Sequence, residues 1–261
     1  MERETGYLPA DGQRRGMRRK AAVAGTRRVG AKDLVRDFGG RYSSALDIDL
    51  RSGRSGEVFK WFLASMLFGA RISQTIAINT YRTFEQAGVL SPQRVVDMGW
   101  DGLVAILDRG GYVRYDFKTA TKLLAVNKTL LDDYGGDLNR LHADAANEKD
   151  LEARLKALGK GIGEVTVNIF LREMRGVWPK AQPLPADLVI AAAREAGFLP
   201  RGIRNREEIL SLLMSVWRDD GMKERDFADF EAALLRFGNV LRKKKISSRK
   251  RRVKWRNFIM S

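Results

Sequence analysis

Residues 151–197 read LEARLKALGKGIGEVTVNIFLREMRGVWPKAQPLPADLVIAAAREAG, and they constrain the fold more than any other stretch. Gly161-Ile162-Gly163 lies between two amphipathic segments. Leu151, Leu155 and Leu158 recur at three- and four-residue spacing before it, and Val165, Ile169 and Phe170 do so after it. The spacing predicts two helices, over 148–158 and 164–175, joined by a tight turn. Two glycines around one apolar residue permit a positive φ, and Ile162 can anchor the turn in a core. The second helix then opens with free backbone N–H groups and the positive end of its dipole. That is a ready anion site, and a nucleic-acid phosphate is the obvious anion. A Gly-Ile-Gly turn is also an ordinary connection between two helices, so the tripeptide alone leaves both readings open.

The rest of the chain carries the same helical period. Helices are expected near 32–38, over the strongly apolar 57–70, and from a Ser73 cap to 86 with Gly88 beyond it. Ser91-Pro92 supplies a cap followed by proline at the first helical position, opening a short helix to Met98. Further helices are expected over 101–108, 116–134, 186–196, 206–217 and 223–243. No convincing alternating pattern and no internal repeat occurs, so the fold class is all-α, with about ten helices.

Composition narrows the chemistry. The 261 residues suffice for a sizeable core. No apolar run is long enough to span a membrane and no leader pattern opens the chain, which reads as not secreted and without a membrane partner. With no cysteine, disulfides, thiolate zinc and iron–sulfur clusters are excluded; one histidine, His142, argues against a catalytic zinc. His142 stands in a polar stretch and reads as a surface residue without a role. The net charge of +16 sits at the ends: residues 1–30 carry 8 basic and 3 acidic residues, and residues 242–261 carry 10 basic and none acidic. The ends are read as a basic, unstructured extension and a basic tail suited to a polyanion, although charged tails also serve solubility.

A second feature follows the hairpin. Some twenty residues on, Leu184-Pro185-Ala186-Asp187 leads into a helix stopped by Gly197. The combination of GIGEVTVNIFL and a lone aspartate in LPADLVI resembles the helix-hairpin-helix (HhH-GPD) DNA glycosylase superfamily, which includes endonuclease III, the adenine-mismatch glycosylases and the alkyl-base glycosylases. LPADLVI looks closest to the alkyl-base branch. FKWFLASMLFGARISQTIAINTYRTF is similar to the long early helix and turn of endonuclease III-like enzymes. GGYVRYDFKTATKLLAVNKTLLDDYGG is similar to the helix preceding the hairpin, and DFADFEAALLRFGNVL to the last core helix. The resemblance spans residues 48–241, and it implies a two-lobed helical glycosylase domain over 31–241 with its hairpin at about 151–175.

What the resemblance implies for the site can be stated residue by residue. Asp187 takes the catalytic place, where a carboxylate under the sugar stabilises positive charge built up as the N-glycosidic bond breaks. An aspartate there also suits a helix N-cap, and the two roles can coexist. Lys160, Gly161, Ile162, Gly163, Glu164, Val165 and Thr166 take the DNA-binding places of the hairpin. Arg71 and Ile72 occupy the turn where the family puts its wedge, though an exposed arginine and a core isoleucine would look the same. Bifunctional members carry a nucleophilic lysine where Val165 stands, so base removal without strand cleavage is implied. Glu164 and Gly159-Lys160 depart from the family pattern. Trp61, Tyr81, Tyr112, Tyr115 and Trp178 are available for a base pocket, but their helical spacing suits a core. No iron–sulfur cluster is implied, because the basic run follows Leu241; a monovalent cation at the hairpin carbonyls is the one cofactor in view. The expected partner is double-stranded DNA, bound by a monomer in the cytoplasm or nucleoid, or in the nucleus of a eukaryote. A helix-hairpin-helix protein that binds DNA without chemistry is the alternative.

Overall fold

A computed structural model describes the backbone of residues 30–259 and the side chains of residues 30–244. The basic extension at 1–30 therefore lies, but for Gly30, outside the described residues. The described chain is all-α, with no strand among its residues: α1 (Ala31–Phe38), α2 (Tyr42–Ala45), α3 (Ser55–Phe68), α4 (Gln74–Gln86), α5 (Pro92–Arg109), α6 (Asp116–Tyr134), α7 (Leu138–Asp144), α8 (Glu148–Ala157), α9 (Glu164–Met174), α10 (Asp187–Glu195), α11 (Arg206–Asp219) and α12 (Phe227–Ile259). None of the described helices is long and apolar enough to cross a membrane.

Two apolar cores organise these helices. The larger forms around α3, whose Val58, Phe59, Trp61, Phe62, Leu63, Ala64, Met66 and Leu67 are all buried. A helix apolar on every face must be enclosed, and α4, α7 and α9 enclose it. The Trp61 indole N–H donates to the Phe170 carbonyl of α9 at 3.1 Å, which satisfies the polar edge of a ring that is otherwise in the core. The smaller core joins the two ends of the described chain: Leu34 of α1, Val189 and Ala193 of α10, Leu213 and Trp217 of α11, and Phe230 and Leu234 of α12. Trp217 stacks on Phe230 with centroids 5.7 Å apart.

The seam between the cores is charged. Buried Arg175 pairs with buried Glu231 at 2.8 Å. Both Glu173 oxygens accept backbone N–H groups, from Tyr42 and Ser43, at 2.8 Å each. Arg41 reaches Asp229 at 3.1 Å. Isolated buried charges would be prohibitively costly, so each of these groups is partnered; the Arg175 and Arg41 pairs reach α12, while Glu173 fixes α2 on α9.

Caps read from the sequence are realised. Ser73 accepts from the Ile76 amide and Ser91 from the Arg94 amide. Gly99 adopts φ +69 and divides α5 into the two short helices its sequence suggests. Three features differ from expectation. Helix α7, short and capped by Asp137, carries too few apolar residues for its period to stand out. Helix α12 does not end at 243 but continues to Ile259, because no glycine or proline interrupts residues 239–261; the basic tail at 242–261 is thus largely an extension of the last core helix. His142 is not a bare surface residue: its ring stacks on Trp178 at 4.7 Å, and burial and the nearby Lys180 lower its pKa.

Candidate functional site

The hairpin forms as its glycines suggest. Gly161 holds φ +96, which an L side chain rarely adopts, and Ile162 is buried in the larger core. The Ile162 amide closes the turn on the Gly159 carbonyl at 3.1 Å. Gly163 is the N-cap of α9 in an extended conformation and offers no side chain; the first helical bond is Val167 N–H to Gly163 O at 3.1 Å. The amides of Glu164, Val165 and Thr166 consequently open the helix without a capping group. A methyl built on Gly163 would meet nothing within 4 Å, so the space beside the start of α9 is open.

Around this opening the exposed residues are Lys160, Gly161, Gly163, Glu164 and Val165. Val165, expected on the apolar face of the second helix with Ile169 and Phe170, is instead 63 % exposed. The Glu164 carboxylate turns toward Lys156, 3.8 Å away, which offsets its charge beside the turn. Thr166 is buried, with its hydroxyl against Gly69 at the end of α3. That contact brings the α3–α4 turn to the hairpin, with Arg71 exposed and Ile72 half-buried on the larger core. Arg71 and Ile72 thus take the two places their residue types suggest, one at the surface and one in packing.

Lys122 adds a charged group that the sequence pattern does not mark. Its alkyl stem lies along Gly161, and its ammonium donates to the Met66 carbonyl of α3 at 3.3 Å. Burial lowers its pKa from 10.5 to about 8. No sequence spacing identifies it, since the contact joins α6 to a turn some forty residues later.

The segment leading to Asp187 is tied to the same helix. Arg175, at the end of α9, donates to Gln182 Oε1 at 2.8 Å and to the Pro183 carbonyl. Asn168, in the second turn of α9, donates to the Leu184 carbonyl at 2.9 Å. The connecting segment therefore runs back along α9 toward the hairpin, and three residues later α10 begins. Asp187 is the first residue of α10, not its cap: Ala186 is the N-cap and no side chain bonds there. The carboxylate is 89 % exposed and pairs with Arg206 at 2.6 Å, while the same guanidinium holds the Pro185 carbonyl at 2.8 Å. A cavity of about 320 Å³ lies at the other end of α9, among Arg175, Trp178, Gln182, Met214 and Phe227, and Asp187 does not line it. Of the aromatics available for a pocket, Trp61, Tyr81, Tyr112 and Trp178 are core residues and Tyr115 is half-buried.

Compared with family models, with curated proteins and with solved structures, the chain gives no match.

Proposed function

We propose that this all-α chain is a monofunctional DNA glycosylase of the helix-hairpin-helix kind. The observation that carries the reading is that one helix bears the glycine turn and anchors the segment before the carboxylate: α9 begins at the turn, and Asn168 of α9 holds the Leu184 carbonyl three residues before Asp187. Backbone amides and Lys160 hold a phosphate of double-stranded DNA, fixing register without reading sequence. A base leaves the stack at a cost of a few kcal/mol, with Arg71 and Ile72 at the turn that enters the gap. The Asp187 carboxylate faces the sugar, stabilises the developing positive charge and orients water toward C1′; the base departs and an abasic site remains. Val165 offers no amine, so no Schiff base forms at that position. Acting on DNA as a monomer would place the protein at the nucleoid, or in a eukaryotic nucleus.

The experiment is incubation with duplexes carrying 3-methyladenine, uracil, thymine opposite guanine or 8-oxoguanine, followed by alkali. Alkali-labile product from at least one supports the reading; none from any, with the protein folded and bound to DNA, rejects it. One observation favours a second reading, a DNA-binding protein without chemistry. The Asp187 carboxylate is already engaged by Arg206 and lies open to solvent, away from the 320 Å³ cavity.

A further inference from the structure

An aromatic pair that the hairpin site leaves unused joins the second half of α5 to the first turn of α6. Gly99 breaks α5, and the second half of that helix begins with Trp100. The indole lies 5.2 Å from the Phe117 ring, tilted by 40°, and its Nε1–H donates to Thr121 Oγ1 at 3.1 Å. Trp100 is 39 % and Phe117 58 % exposed, and Val113, in the preceding loop, is 65 % exposed. Among the described residues most large aromatic side chains are in the cores; this pair is fixed in place yet open, as a binding surface is.

Its position relative to the hairpin follows from α6 itself. Phe117 and Thr121 are four residues apart and form one stripe. Lys118 and Lys122 form the adjoining stripe, and Lys122 lies along Gly161. The aromatic pair and the glycine turn therefore both lie against α6. The charges nearby are mixed: Arg109, Arg114 and Lys118 are exposed, as are Asp101 and Asp108, with Asp116 half-exposed. Attraction at this surface thus comes from the rings rather than from net charge.

We propose that Trp100 and Phe117 form a stacking platform for the bases of an unpaired DNA strand running beside the hairpin. Bases within a duplex have their faces covered by neighbours, whereas an unpaired base presents a face to an aromatic ring whatever its sequence. The bond to Thr121 holds the indole in position before the strand arrives, so little side-chain freedom is lost on binding. The placement beside DNA rests on the hairpin reading; the stacking itself does not.

The test uses the full chain and two labelled probes followed by fluorescence anisotropy: an oligothymidylate and a fully paired duplex. Trp100→Ala and Phe117→Ala should each weaken oligothymidylate binding by about tenfold, within the range for one stacked base. The factor should be the same at low and moderate salt, and duplex affinity should be unchanged. Trp100→Phe should retain most of the oligothymidylate affinity and lose the fluorescence quenching that accompanies binding to the wild type. If Trp100→Ala fails to fold, Phe117→Ala, whose ring is mostly exposed, carries the comparison. Wild-type affinity for oligothymidylate in folded Phe117→Ala and Trp100→Ala proteins overturns the platform, as does absence of oligothymidylate binding by the wild type. A wild type that binds oligothymidylate through Trp100 but fails to bind the duplex overturns the hairpin reading and leaves the platform standing.

Discussion

Replacing Lys122 by methionine should make the protein more stable near neutral pH and weaken its hold on DNA. The drop from 10.5 to about 8 is the cost of burying the ammonium, at most about 3 kcal/mol. Methionine keeps the stem along Gly161 without the charge. It also loses the long, 3.3 Å hydrogen bond from the ammonium to Met66 O, at the weak end of the roughly 1.5–3 kcal/mol for a charged donor, so Lys122→Met gains about 1–2 kcal/mol near pH 7. The folded value lies below the unfolded one, so between pH 8 and 10.5 the unfolded chain binds the extra proton and wild-type stability rises with pH. The gap between variant and wild type should accordingly narrow by about 2 kcal/mol between about pH 7 and pH 9.5. Urea unfolding at the two pH values measures it. A variant less stable than wild type near pH 7, or a gap that ignores pH, refutes the reasoning. An unfavourable charge beside the glycine turn has a use if an anion docks there, so the same variant should bind duplex DNA several-fold more weakly.

Other perturbations separate fold from site. Gly161→Ala forces a side chain into φ +96 against the Lys122 stem and should cost roughly 1–2 kcal/mol in urea unfolding. Gly163→Ala meets nothing within 4 Å; it should cost under about 1 kcal/mol yet weaken duplex binding by crowding the phosphate, which anisotropy would register. Glu231→Ala strands buried Arg175 and should cost about 3–5 kcal/mol, seen as a lowered urea midpoint. Removing residues 242–261 deletes ten basic residues and should flatten the dependence of duplex affinity on salt; an unchanged slope would mean that this end of α12 makes no phosphate contacts.

Local signals were legible in the chain and long-range ones were not. Leu151, Leu155, Leu158 and Ile162 are buried as their spacing implies, because a helical period and a glycine turn are decided by neighbours in sequence. Ser73, Ser91 and Pro92 mark helix starts for the same reason. The Arg206 partner of Asp187, the Asn168 tie to Leu184 and the Lys122 stem over Gly161 each join residues sixteen or more positions apart, and no spacing rule selects them. His142 reads as a surface residue because its neighbours in sequence are polar, but its neighbour in space is Trp178. The Asp187 environment was the least legible part of the site, since whether a carboxylate caps, pairs or faces a pocket depends on what folds against it.

The central claim, that Asp187 acts on DNA held by the hairpin, is tested most directly by the single-turnover rate of base release. Wild type and Asp187→Asn would be compared on the most reactive lesion duplex, with duplex affinity measured in parallel. The rate should fall by about a hundredfold or more while affinity changes little. Base release at the wild-type rate by Asp187→Asn, or none by a wild type that binds the duplexes, would contradict it.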